Sequence, residues 1–337
     1  MVDITSADNV LQQALSWIKD GKEVAIATVI STWGSSPRPI GSQLVIDNEG
    51  SFVGSVSGGC IEGSVIGEAL ATISDGQNRL LKFGVSNEQA WEVGLACGGD
   101  VRILVERFNK KETVTKMIND KPIAAVTNLK TGERSLVTPE NIIGDLKLTT
   151  EMIENTKTAL RKDVSKLHNN GGEEIFVQVF NQPLRCLIVG AVHISQALVP
   201  MAQIAGFDVT VIDPREAFAT PERFPKVIID NHWPDDALKN LKVDPRTSVV
   251  TLTHDPKLDD PALEVALKSD AFYIGSLGSK RTHASRLERL TSQGFQETDL
   301  SRIHAPIGLD LGAVTPEEIA VTILAQMIAA KHDKLDR

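Results

Sequence analysis

Three cysteines in 337 residues are too few for several of the tasks cysteine commonly performs. An iron–sulfur cluster takes about four thiolates, and Cys60, Cys97 and Cys186 make no paired framework of the kind that staples secreted domains. Structural zinc is excluded by spacing, because the chain has no Cys-x-x-Cys and no His-x-x-x-His and its seven histidines are scattered. No apolar run approaches the roughly 20 residues that cross a bilayer. The first residues, MVDITSADNVLQQALSW, lack a basic segment followed by an apolar core, so no signal peptide is expected. Positive charge is also short: 35 Lys and Arg against 44 Asp and Glu leave −9, which argues against nucleic acid or an anionic membrane as partner. These absences point to a protein of the reducing cytoplasm. An anionic small ligand survives them, since an acidic surface can still hold a basic pocket.

The length suits two domains, and 42% hydrophobic residues suffice for two cores. Character changes at Asn181-Gln182-Pro183, which sets expected domains at 1–182 and 183–337. In the first, Val10, Leu11, Ala14, Leu15 and Ile18 make a helical stripe, EVAIATVIS reads as a buried strand, and QLVID and FVGSVS read as strands about a turn at Asn48-Glu49-Gly50. Ile61, Val65, Ala69 and Ile73 predict a helix over 61–74. LLKFGV, VRILVER, PIAAVTN and EEIFVQVF supply further strands, giving a mixed α+β domain without regular alternation. The stretch 130–172, including HNNGG, has little pattern and is expected to be a loop. In the second domain RCLIVG, DVTVID, KVIID, TSVVTLT and AFYIG alternate with helical segments, which predicts a Rossmann-like parallel α/β domain. Thr315-Pro316-Glu317-Glu318 opens a last helix with a cap, a first-turn proline and two acids.

Chemistry is concentrated where glycine meets reactive side chains. Cys60 follows Gly58 and Gly59 and precedes a helix, where unpaired N–H groups favour a thiolate and could face an anion; the alternative is a small buried residue in a tight turn. Cys97-Gly98-Gly99 repeats the pairing of cysteine with a glycine doublet. Arg38 lies between two prolines with Ser35 and Ser36 nearby, placed either to clamp a phosphate or simply to face water. LIVGAVHISQAL followed by Asp213 resembles a dinucleotide fingerprint, but Val192 stands at its second glycine position and obstructs a pyrophosphate. His193 opens the following helix, as a phosphate ligand or a cap. Thr253-His254-Asp255 and Gly278-Ser279-Lys280-Arg281 leave the carboxyl ends of predicted parallel strands, where open α/β sheets bind ligands.

Taken together, these segments resemble the xanthine dehydrogenase accessory family of the XdhC and CoxI type, maturation factors for molybdenum hydroxylases. ATVISTWGSSPRPIGSQLVI, GSFVGSVSGGCIEGSV, GLACGGDVRILVE, LIVGAVHISQAL, VTVIDPREAFATPERFP, VVTLTHDPKLDDPAL, YIGSLGSKRTHASRLERL and HAPIGLDLGAVTPEEIAVTILAQMIA carry the likeness, in order along the chain. The resemblance implies a protein that binds molybdenum cofactor (molybdopterin), holds it during sulfuration by a cysteine desulfurase, and delivers it to a molybdenum hydroxylase apoenzyme. It places the metal-side ligands at Cys60 and Cys97. The wider cofactor-binding set would be Arg38, Gly58, Gly59, Glu62, Gly98 and Gly99 in the first domain, with Gly190, His193, Asp213, His254, Asp255, Gly278, Ser279 and Arg281 in the second. Two positions depart from the family pattern: Val192, where Gly-x-Gly-His is usual, and Gln326, where an acid is expected. An NAD(P)-linked oxidoreductase or xanthine dehydrogenase component is the competing reading, and a vestigial scaffold a third. A homodimer is expected, as the commonest assembly.

Overall fold

The computed structural model describes residues 7–34, 38–84 and 99–335, so Cys97, Gly98, Ser35 and Ser36 lie outside the described residues. The chain divides into two units, Met1–Gln182 and Pro183–Arg337.

The first unit begins with α1 (Ala7–Lys19), β1 (Val24–Gly34), β2 (Gln43–Asp47), β3 (Phe52–Gly54), α2 (Glu62–Asp75), β4 (Arg79–Gly84) and β5 (Gly99–Arg107). It continues through α3 (Lys111–Asn119), β6 (Ile123–Asn128), β7 (Arg134–Val137), β8 (Ile142–Gly144), α4 (Thr150–Lys162), β9 (Lys166–Asn170) and β10 (Glu173–Phe180). Its strands form two antiparallel five-stranded sheets, ordered β3-β2-β1-β5-β4 and β8-β7-β6-β10-β9. The predicted stripe on α1 is the buried one, with Val10, Leu11 and Ala14 packed into a cluster with Val24, Ile26 and Val45. On α2, Val65 and Ala69 face β1 and β5 in the same way. Arg102 pairs with both carboxylate oxygens of Glu174 at 2.7 and 2.6 Å, and Arg134 grips Glu106 at 2.5 and 2.8 Å, so each sheet is clamped to the other.

The expected loop over 130–172 is in fact structured: it contains β7, β8, α4 and β9. His168 and Asn169 of the HNNGG stretch pair with Ile175 and Glu174 of β10. An edge strand needs a partner on one side only, so its polar residues cost little and leave no alternating signature.

The second unit comprises β11 (Leu184–Val189), α5 (His193–Ile204), β12 (Phe207–Ile212), β13 (Ile228–Asp230), α6 (Pro234–Leu241), β14 (Thr247–Thr251), α7 (Pro256–Leu267), β15 (Tyr273–Ser276), α8 (Lys280–Ser292), α9 (Glu297–Leu300), β16 (Ile303–His304) and α10 (Pro316–Lys331). All six strands are parallel, in the order β13-β12-β11-β14-β15-β16. The order reverses between β11 and β14, which is the switch point of a Rossmann-like sheet. One face is covered by α5 and α10, the other by α6 to α9, each over its own apolar cluster. Thr315 caps α10 as its sequence predicts, accepting from the Glu318 N–H at 3.3 Å. Gln326 on α10 shows why an amide suits that position. Its Oε1 accepts from Tyr273 Oη at 2.6 Å and Gly308 N at 2.8 Å, while its Nε2 donates to the Gly308 carbonyl at 3.3 Å, a bond no carboxylate could make.

Candidate functional site

β3 ends at Gly54 and α2 starts at Glu62, and the seven residues between them form a loop organised by one side chain. Glu62 turns its carboxylate back from the first turn of α2 and is only 7% exposed. Oε1 accepts from Ser55 Oγ at 2.8 Å, Val56 N at 3.2 Å and Ser57 N at 2.9 Å. Oε2 accepts from Gly59 N at 2.9 Å and from the Ser57 hydroxyl in a short bond. The serine oxygens are used a second time: Ser55 Oγ accepts from Gly58 N at 2.9 Å, and Ser57 Oγ from Cys60 N and Ile61 N, both at 3.1 Å. Every backbone N–H from Val56 to Ile61 is thereby engaged. Burial alone would push the Glu62 carboxyl up, but the Ser57 and Ser55 hydroxyls and the Ser57 N–H outweigh it and hold the group down at about 2.

This corrects an expectation from the sequence. The N–H groups of Gly58 and Gly59 do not face outward toward an anion, because Ser55 and Glu62 of the same loop already occupy them. What the loop presents instead is the Cys60 side chain, which is exposed and free. It stands just ahead of Ile61, the residue that precedes α2, and its own N–H is held inside the loop. Gly58 and Gly59 take φ of +79° and +116°, two successive left-handed residues that turn the chain before the cysteine. Ser55 and Ser57 were missed by sequence reasoning; the readable signal was a Ser-x-Ser pair followed, five residues on, by an acid in the first turn of a helix. Cys186 contrasts sharply. It is fully buried in β11, and burial pushes its thiol up to about 12.

Of the remaining first-unit candidates, Gly99 and Arg38 are among the described residues. Gly54, beside the Cys60 loop, pairs with Leu44, which pairs with Ala27 of β1. Gly99 pairs with Gly34, seven residues further along the same strand. Gly54 and Gly99 therefore stand at levels about 20 Å apart along β1. Arg38 is half-buried on the connection between β1 and β2.

In the second unit the candidates stand at the carboxyl ends of the parallel strands, where Asp213, Asp255 and Ser279 are engaged by neighbouring groups while His193, His254 and Arg281 are exposed. Asp213 is fully buried: its Oδ2 accepts from Ala191 N at 2.8 Å, and Arg215 straddles both oxygens at 2.9 and 2.7 Å. Burial works against ionisation there, yet Arg215 and the Ala191 N–H bring the carboxyl below its ordinary range. Ser195 Oγ donates to the Gly190 carbonyl in a short bond and accepts from Val192 N at 3.3 Å, closing the entry to α5. Val192 packs against the apolar cluster, and a side chain at Gly190 would come within 2.7 Å of Thr253 Cγ2. His193 and His254 are exposed, the latter at φ +61°. Asp255 and Ser279 cap helices, accepting from Lys257 N at 2.9 Å and Thr282 N at 3.2 Å. Gly278 is buried and Arg281 exposed. Behind this rim, Asp259 and Arg286 lie buried with Oδ2 and Nη2 3.8 Å apart. Burial raises the pKa of the Asp259 carboxyl and lowers that of the Arg286 guanidinium, against the attraction between them. Sequence reasoning pointed to Lys280 and Arg281 and missed this pair, whose partner lies on another helix.

Two family descriptions match the chain, "XdhC and CoxI family" over residues 17–84 and "XdhC Rossmann domain" over residues 186–327. Among curated relatives, the molybdenum cofactor insertion chaperone PaoD of Escherichia coli (strain K12) is 27% identical over 328 residues, covering 97% of this chain and 90% of the relative. A probable xanthine dehydrogenase subunit of Bacillus subtilis (strain 168) is 26% identical over 326 residues, covering 93% and 95%. A crystal structure described as a xanthine dehydrogenase from Bacillus halodurans superposes with a TM-score of 0.77 at 24% identity over 97% of both chains, a likeness of fold.

Proposed function

The chain belongs to the XdhC and CoxI family, and from that premise we propose that it is a molybdenum cofactor chaperone. In this reading it binds the cofactor at the Cys60 loop, holds it while a cysteine desulfurase supplies sulfur, and delivers it to an apo-hydroxylase of the xanthine dehydrogenase type. Full-length similarity to a chaperone named for cofactor insertion supports the delivery step.

The observation that carries the reading is the exposed Cys60 thiol on a loop whose backbone is internally fixed. A soft thiolate suits molybdenum and its dithiolene sulfurs. The fit is partial: the thiol is presented, but the N–H cradle expected for the cofactor's phosphate is filled by the Glu62 carboxylate and the Ser55 and Ser57 hydroxyls. Phosphate contacts then fall to side chains, with Arg38 as the first-unit candidate and Cys97 as the proposed second thiol. An exposed anchor also suits a carrier that must let its load go.

The test is molybdopterin retained through gel filtration, measured with the melting temperature of each cysteine variant. Cys60→Ala is expected to lose most bound cofactor at unchanged stability, while Cys186→Ala keeps the cofactor and melts earlier by roughly 1 kcal/mol or more, as a core position should. Unchanged retention in the Cys60→Ala, Cys97→Ala double variant would overturn the thiolate role.

A further inference from the structure

A cavity of about 100 Å³ lies between α4 and the sheet strands β6, β9 and β10 of the first unit. Both family descriptions leave it out, since they end at residue 84 and resume at residue 186. Its apolar wall is made by Met152, Ile175 and Val177, all buried. Glu151, Asn155, His168 and Asn170 also line it, Glu151 and Asn155 at exposed positions of α4. None of the Glu151, Asn155 and Asn170 side chains bonds to another group among the described residues, and His168 Nε2 is buried without a partner. Burial, helped by the charge of Lys166, lowers the His168 pKa and favours the neutral ring.

A buried ring nitrogen without a partner costs free energy unless a ligand or water completes it. An apolar wall with a few convergent polar groups is the usual make-up of a small-molecule site. The polar set also restricts the occupant. Glu151 brings a negative charge and no Lys or Arg lines the cavity, so phosphates and carboxylates are disfavoured. A neutral imidazole and two carboxamides each offer a donor and an acceptor, which matches adjacent N–H and C=O groups on a ring. Size sets a further limit: about 100 Å³ is less than the roughly 150 Å³ of an engineered apolar cavity that holds one benzene, so no more than one ring can enter and its polar edge stays at the rim, where Glu151 and Asn155 are exposed.

We propose that this cavity binds a neutral, single-ring lactam heterocycle of the pyrimidine-base type, seated on Met152 and Val177 and read by Asn155, His168 and Asn170. The site is independent of the Cys60 loop, so it stands or falls without the chaperone reading.

The test is titration of the full chain with uracil, hypoxanthine and benzoate, followed by calorimetry and by the His168 ring signals in NMR. Uracil is expected to bind and to shift the His168 resonances, with hypoxanthine weaker because of its second ring and benzoate inert. Asn155→Leu, at an exposed helix position, and His168→Phe should each weaken uracil by at least about tenfold, the scale of one lost hydrogen bond. Asn155→Leu should leave the melting temperature in place, so that loss of binding is not loss of fold. No uracil binding up to about 10 mM, benzoate binding as well as uracil, or affinity unchanged in both variants would each overturn the proposal.

Discussion

Glu62 shows how a single side chain can convert a loop that reads as a ligand cradle into a fixed support. The Ser-Gly-Gly-Cys pattern was legible in the sequence; the destination of its N–H groups was not, because the same residues serve equally well with those groups turned outward. A carboxylate held at about 2 against an ordinary 4.5 has a definite pH signature. The folded-state pKa is depressed, so the stabilisation is fully present above pH 4.5 and is lost as pH falls through about 2. Allowing for screening at the open side of the loop, the contribution is about 2 kcal/mol. Glu62→Gln sets an amide donor against the Gly59 N–H, so it should cost roughly 1–3 kcal/mol at pH 7. It should also flatten the acid limb of stability below pH 4.5. Denaturant midpoints of both proteins across pH 2.5–7 provide the check, and parallel acid limbs would refute the assignment. If the fixed loop matters for the cargo, the variant should also retain less cofactor although Cys60 is intact.

At the scale of elements, the sequence was most informative where a pattern is local and periodic. The stripes on α1 and α2, the alternation in the second unit and the Thr315 cap all arise from neighbours in the chain. It was least informative for β9 and for the buried Asp259 and Arg286, whose meaning depends on a partner far away in sequence. The β11–α5 turn lies between these cases. Its strand–glycine–helix pattern gave the fold correctly, and Val192 argued against a dinucleotide. The structure adds a second obstacle that no fingerprint contains, since a ribose hydroxyl seeking Asp213 would have to displace a two-pronged Arg215 and the Ala191 N–H. NADH and NADPH should therefore bind weakly, with dissociation constants of millimolar order. Val192→Gly alone should improve this little, because Asp213 stays engaged; the Val192→Gly, Arg215→Ala double variant should improve it more than either change alone. Fluorescence titration decides between the outcomes, and micromolar affinity in the unaltered protein would refute the argument.

Among the described residues, each apolar cluster is confined to one unit. The two clusters that flank the parallel sheet draw only on residues beyond Gln182, and the four of the antiparallel sheets only on residues before Pro183. Each unit therefore has its own source of cooperativity, and a chain built this way departs from all-or-none unfolding. Differential scanning calorimetry should resolve two transitions. A fragment spanning 183–337, expressed alone, should melt cooperatively and coincide with one of them. The variants then become labels for the units. Glu62→Gln should lower only the transition missing from the fragment, whereas Cys186→Ala should lower only the one the fragment reproduces. A single transition whose calorimetric and van't Hoff enthalpies agree, moved as a whole by both substitutions, would show instead that the units unfold as one body.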